Sequence, residues 1–411
     1  MTDLKLLLNQ INPFSSRRET SDDYNEEEFK LPNMTSLVIM LVMNFLLQIS
    51  FFIVISSSSK YTEYLGGNAT FSGIVIGIPT AFAGLSLIPL TKYDKDGERR
   101  LVAGWSSVKP MGMSFGPFLG GVLYKVGFSN SIFNGYTSPG WIMTGIYAGF
   151  WVLMTIYFED IPQPPTTKEL QSASPIVSLQ VKGEDTEASP DYPSASTARP
   201  ASPIDESFRA QLSLITWFQW GVIACMCWFS MLCFFILGSW EANLPVFSAA
   251  AENFHWSPFA AGNFIALGAI SCFPFLLLNL LAARHIQDRT LLAFGTIIGL
   301  AGLIIFLSIL RTGKVNYSSL FACWWTVALG FNIATTVTLS LLSKQLPPEW
   351  NGPTSILIQC SNYTGRVTGA IWGGSGVSVG MSNFVGLEIA MVGIGAVLFT
   401  ALWRDLKTKT G

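Results

Sequence analysis

The stretch GMSFGPFLGG, residues 112–121, has a near copy 253 residues downstream, GRVTGAIWGG, residues 365–374. Glycines stand at the first, fifth, ninth and tenth places of both. On a helix, glycines four apart share a face and let two backbones approach closely. Written twice at the same spacing, the pattern points to a chain made of two similar halves.

The surrounding sequence supplies the helices. Half of the 411 residues are hydrophobic and only 12% are charged, against about 25% charged in a soluble domain. The apolar residues fall in long blocks, and about 20 such residues cross the hydrocarbon core of a bilayer as a helix. Ten blocks qualify: 35–57, 71–91, 101–124, 140–158, 212–238, 258–283, 291–310, 317–343, 354–376 and 384–403. The first follows more than thirty residues that include RRETSDDYNEEEFK, unlike a cleavable signal peptide. The expected fold class is an all-α, polytopic membrane protein.

Lysine and arginine set the expected orientation. With the N-terminus inside, 18 of the 24 fall on the cytoplasmic side, four on the other, and Lys109 and Arg366 lie within spans. Both termini are therefore expected in the cytoplasm. Residues 159–210 interrupt the pattern with a Pro-, Ser- and Thr-rich stretch that offers no periodic apolar face, as expected of a disordered linker. The organisation read from the sequence is a tail 1–33, a four-helix bundle 34–158, the linker 159–210, a six-helix bundle 211–404 and a tail 405–411.

The repeat fits this division unevenly. At an offset of 253, Gly112, Gly116, Gly120, Gly121 and Gly127 fall on Gly365, Gly369, Gly373, Gly374 and Gly380. Earlier in the chain FSGIVIGIPTAFAG matches FAAGNFIALGAIS only at an offset of 189, set by Gly73 and Gly262. The offsets differ by 64 residues, about two membrane helices with their loops. The first half thus reads as a six-helix unit without its third and fourth helices, with the join inside KYDKDGERR. A natural deletion, a splice form and an incorrect gene model all fit.

Two parallel six-helix repeats joined by a long linker resemble the plan of the major facilitator superfamily. GMSFGPFLGG is similar to the glycine-proline signature on the fifth helix of its antiporters: Gly112, Gly116, Pro117, Gly120 and Gly121 occupy every core position, while Gly104 stands one residue out of register for the signature's earlier glycine. The resemblance implies that these residues, with Gly365, Gly369, Gly373 and Gly374, form the gating interface along which the halves slide. It also implies a cytoplasmic latch, for which Asp94, Asp288 and Arg289 are the candidates, although KYDKDGERR departs from the usual loop pattern. Leu65-Gly66-Gly67 and Phe71-Ser72-Gly73 resemble the fungal and lysosomal group related to SPX-domain transporters. That likeness, with Asp3 before Leu7-Leu8, favours a vacuolar or lysosomal membrane over the plasma membrane.

Charges within membrane helices are costly and default to functional roles. Lys109 and Arg366 lie deep in their spans. Gln359, Asn362 and Arg366 share one helix face at spacings of three and four, as do Asn44 and Gln48 on the first span. These six residues are the candidates for a solute pathway, with interhelical hydrogen bonding as the structural alternative. Glu241, read as lying near the outer end of its helix, is the candidate for proton coupling. The six cysteines sit in apolar helices and only two histidines occur, so neither a metal nor a cofactor is expected. A net charge of −2 without a basic patch argues against nucleic acid. Asn68-Ala-Thr and Asn316-Tyr-Ser are glycosylation sequons. The expected function is a monomeric, secondary-active carrier of a small solute by alternating access in a lipid bilayer, and not an enzyme. The alternative is a truncated, transport-inactive protein of the same fold.

Overall fold

The computed structural model describes residues 34–90, 115–127, 130, 132–158, 216–250, 254–282, 286–313, 315–346, 350–404 and 406. The tail 1–33, the linker 159–210 and the join within 91–100 lie outside them. The described residues form helices joined by short turns: α1 Met34–Ile53, α2 Ile55–Tyr64, α3 Ala69–Leu90, α4 115–123, α5 Ser138–Tyr157, α6 Trp217–Ala250, α7 Pro258–Ala282, α8 Asp288–Thr312, α9 Tyr317–Gln345, α10 Asn351–Val379 and α11 Met381–Leu402. Among the described residues seven spans are long and apolar enough to cross a membrane, α1 and α2 counting as one from Val38 to Tyr64.

Two helices run past their apolar blocks, and the reason is local. Beyond residue 57 the first span enters a serine-rich run, yet α2 continues to Tyr64 because Ser56, Ser57, Ser58 and Thr62 are buried. Ser72 donates to Ser58 across α3 at 2.9 Å. Likewise α6 continues through SWEANLPVF to Ala250. Its polar side chains there are buried with partners, so hydropathy alone ends the helix too early.

Calling the end where α1 begins the lower one, the closest approaches between the halves named here lie toward the upper end. A Cβ added to Gly73 on α3 would stand 2.3 Å from the Ala370 carbonyl oxygen on α10, and one on Gly374 would stand 2.5 Å from that of Ala69. Ser375 donates to Thr70 across the same crossing at 3.1 Å. On the opposite flank, a Cβ on Gly262 of α7 would meet the Pro117 carbonyl oxygen at 2.3 Å. Lys125 caps that crossing, its Nζ 3.7 Å from the centre of the Phe259 ring.

Within the second half α6 is the spine. Phe229, Leu232, Ile236 and Trp240 are fully enclosed, and Trp240 meets Phe306 of α8 and Trp324 of α9 at ring separations of 4.9 and 6.2 Å. Lipid is as apolar as these side chains, so association rests on close van der Waals fit and interhelical hydrogen bonds. The glycine crossings and the buried polar pairs therefore decide the architecture.

Candidate functional site

The repeated glycines divide between two tasks. On α10, Gly365, Gly369 and Gly373 meet Met231, Phe235 and Ser239 of α6, where an added Cβ would lie 2.1, 2.2 and 2.2 Å from their carbonyl oxygens. Only Gly374 turns across to α3. The first half repeats the arrangement on α4: Gly116 and Gly120 meet Phe52 and Ile53 of α1, while Gly121 faces Phe259 of α7 across the interface. The reading of the whole motif as a sliding face is thus corrected. Its fifth and ninth glycines (and the first on α10) clamp each half's own opening helix, and the tenth touches the other half. Gly112 lies outside the described residues.

That clamp holds the polar face of α10 against α6. Ser230 donates to the Asn362 side-chain oxygen, and Asn362 Nδ2 donates to Gln359 Oε1 at 3.2 Å. The three polar candidates on α10 are half-buried, and the two amides bind within their own half. One turn above Asn362, the Arg366 guanidinium donates from Nη2 to Glu241 Oε2 at 2.5 Å. Its flat face covers Phe52 of α1, with Cζ 4.3 Å from the ring centre. Its other terminal nitrogen, Nη1, is buried with no hydrogen-bond partner among the described residues. An orphaned buried donor costs about 1–3 kcal/mol, more when it is charged.

Glu241 requires a correction. With α6 extended to Ala250, it lies nine residues from the helix end, about 14 Å at 1.5 Å per residue, and it is buried against Arg366. The pair joins a cation and an anion of one half on an aromatic platform of the other. Removing one partner of such a buried pair leaves an uncompensated charge and costs about 3–5 kcal/mol.

The remaining candidates separate. Asn44 donates to the Met40 carbonyl of its own helix at 2.9 Å. Gln48 is half-buried and lies one turn before Phe52 on the same α1 face. Lys109 and Asp94 lie outside the described residues. Asp288 and Arg289 serve their own half: Lys344 and Ser340 donate to Asp288 at 2.6 and 2.8 Å, and Arg289 donates to the Trp403 carbonyl at 3.0 Å while covering its ring. All three bonds tie α8 to its neighbours within the second half. The sequon residues cap helices, with Asn68 Oδ1 accepting from the Phe71 amide and Asn316 forming a reciprocal capping box with Ser319. Among the described residues no group of His, Cys, Asp and Glu could hold a metal ion.

Two features escaped the sequence reading. Phe52 gave no signal among many apolar neighbours. Glu388 lies seven residues past the start of α11, and its carboxyl is fully buried, taking the Ser239 hydroxyl and, at 2.9 Å, the Trp240 indole N–H. Over three consecutive residues α6 thus supplies two donors to the buried Glu388 carboxyl and the carboxyl that pairs with Arg366.

Known proteins carry the same plan. The family model described as Major Facilitator Superfamily matches residues 96–370. Two uncharacterized MFS-type transporters of Schizosaccharomyces pombe are similar throughout: one is 22% identical over 469 residues, covering 97% of this chain and 88% of the relative. The other is 23% identical over 449, covering 92% and 90%. The first alignment exceeds the chain's 411 residues by 58, so at least that many positions fall opposite gaps in this chain. Among solved structures, a bacterial homologue of the human lysosomal transporter Spinster, inward-facing and unoccupied, superposes with a TM-score of 0.53 at 12% identity over 90% of this chain and 97% of that one. The peptide transporter POT with sulfate gives 0.53 at 14%, over 92% and 96%. With the family model matching two thirds of its length and the helical plan agreeing, this multi-pass membrane chain belongs to the major facilitator superfamily.

Proposed function

We propose that the chain is a secondary-active transporter that carries a small polar solute by alternating access, its halves rocking about the Arg366–Glu241 pair. The observation that carries this reading is the placement of that pair. Arg366 stands near the middle of α10, is paired within its own half, and rests on Phe52 of the other half. A rocking motion that slides α1 past α10 changes this contact directly. Proton coupling is assigned to Glu241, since a proton arriving there would release Arg366. The Lys and Arg distribution supports termini in the cytoplasm, and the Asp3 and Leu7-Leu8 pattern supports a vacuolar or lysosomal membrane. The carrier works as a monomer, each copy holding both halves.

The first half is further proposed to lack the counterparts of α8 and α9. The 64-residue difference between repeat offsets supports this, as do the 58 or more unmatched positions in the relative's alignment. Sequencing full-length transcripts across codons 91–101 tests it: a dominant message with about 64 additional codons encoding two apolar spans marks this chain as a shortened form, and a dominant short message marks it as native.

Transport is tested in proteoliposomes with a panel of labelled sugars, amino acids and organic acids. One solute is expected to enter saturably, and Arg366→Ala is expected to remove that uptake while the protein still elutes as a single species. A Thr70→Cys, Ser375→Cys pair in a cysteine-free background should block uptake when oxidised and restore it on reduction. Uptake that continues through the formed cross-link sinks the rocking model.

A further inference from the structure

Arg366 differs from the other described basic residues of the spans. Lys60, Arg289, Arg311 and Lys344 all stand within about one turn of a helix end, whereas Arg366 is fifteen residues past Asn351 and thirteen before Val379. Its surroundings fix most of its surface. Phe52 covers one face, Glu241 takes Nη2, and Nη1 is left buried and unbonded among the described residues. A buried donor without a partner in a native protein calls for a ligand or water. A guanidinium offers its N–H groups in a planar fork that matches two oxygens of a carboxylate or phosphate. The environment narrows the class further. A cationic solute would meet the guanidinium's repulsion, and an uncharged acceptor would bond it more weakly than an anion, without the charge assistance.

We propose that the Nη1 edge of Arg366 binds the carboxylate or phosphate group of an anionic solute, and that Glu241 is its internal competitor, holding the guanidinium while the solute is absent. This rests on the transporter reading above and names its substrate class. Gln359 and Asn362, two turns and one turn below Arg366 on the same face of α10, are placed to meet the rest of such a solute. Gln48 lies one turn before Phe52 on α1. The competition has a specific consequence: replacing Glu241 with its neutral amide strengthens binding of the anion, where a purely structural ion pair would leave the protein weakened and its ligand affinity unchanged.

The test is thermal melting of the purified full chain, followed by intrinsic fluorescence, in inorganic phosphate, acetate or succinate, with glucose and choline as the uncharged and cationic comparisons. At least one oxyanion is expected to raise the melting temperature saturably, and neither comparison solute should do so. Glu241→Gln should lower the half-saturating concentration about tenfold, Arg366→Lys should raise it, and Arg366→Gln should abolish the effect. Protection by glucose or choline alone overturns the anion assignment, as does oxyanion protection that survives in Arg366→Gln, while the cross-link block of uptake would still support transport. If Arg366→Gln does not fold, Arg366→Lys and Glu241→Gln decide, since unchanged half-saturation in both overturns the proposal. Protection by none of the oxyanions, in wild type and in Glu241→Gln, also overturns it. Anion binding intact with uptake unaffected by the cross-link would instead overturn the rocking mechanism and leave the site.

Discussion

Over an apolar eighteen-residue stretch of α6 in the second half, 72% of the residues are buried, against 28% in such a stretch of the span that opens the first half, α1 with α2. The closing helices differ the same way over such stretches, 28% for α11 against 6% for α5. Both halves use the same glycine clamp, so the contrast comes from what stands behind it. Behind α6 lie α8 and α9, whose Phe306 and Trp324 close on Trp240. Behind α5 the described residues leave open space: a Cβ added at Gly140, Gly145 or Gly149 would meet nothing within 4 Å. One sequence device thus works under two degrees of support. A helix held on several sides cannot retreat from a clash, whereas a helix bare on its outer side can.

The largest effect expected from that contrast is at the clamps. Gly369→Ala drives a Cβ to 2.2 Å from the Phe235 carbonyl oxygen, against an α6 that α9 and α11 brace from behind. Gly120→Ala meets the Ile53 carbonyl oxygen at 2.0 Å, but α1 has room to move. Overpacking a core costs about 1–3 kcal/mol, and we expect the upper end of that range at Gly369 and the lower end at Gly120. Melting curves of the two variants in one detergent measure the difference, and equal losses would refute the idea that support, not spacing, sets the cost. Glu388→Ala comes next: it strands the Trp240 indole and leaves the Ser239 hydroxyl only the Ile236 carbonyl, at about 1–2 kcal/mol in a membrane interior. Glu388→Gln should recover most of this, and a Gln variant as weak as the Ala variant would point to a need for the acid itself. The smallest effect belongs to Gly145→Ala and Gly149→Ala, expected within about 0.5 kcal/mol of wild type. In a chain carrying an additional helix pair against α5, the same substitutions should become costly, which makes them a probe for the proposed missing helices.

Much of this was legible in the sequence, though not all by the same signal. Hydropathy finds α8 and α11 almost to their ends. α10 is legible as the block 354–376, yet the full helix falls short of the apolar content of the seven spans, because Gln359, Asn362, Arg366 and six glycines dilute it; the repeated spacing marks it independently. Arg366 was legible as a deep charge. Its partner Glu241 was misplaced because α6 outruns its apolar block, and a buried ion pair leaves no mark on periodicity. Phe52 and Glu388 depend on which helices meet, which the chain order alone does not say. The division of the glycines between clamp and crossing is likewise a three-dimensional fact, since the ninth and tenth positions are adjacent in sequence and face different helices.

The crossing of α3 with α10 is tied at one end, where Gly73 lies against Ala370 and Thr70 accepts from Ser375. From Gly73 to the far end of α3 at Leu90 is seventeen residues, an arm of about 25 Å at 1.5 Å per residue. A tilt of about 10° at the tied end sweeps the free end through about 4 Å, most of one helix turn of about 5.4 Å. The glycines at the crossing remove the side chains that would jam the pivot, and the length of the helix supplies the gain. A motion that is small at the Thr70–Ser375 contact, and that a covalent link there would forbid, is thereby large enough at the lower end to open or shut a path for a small molecule.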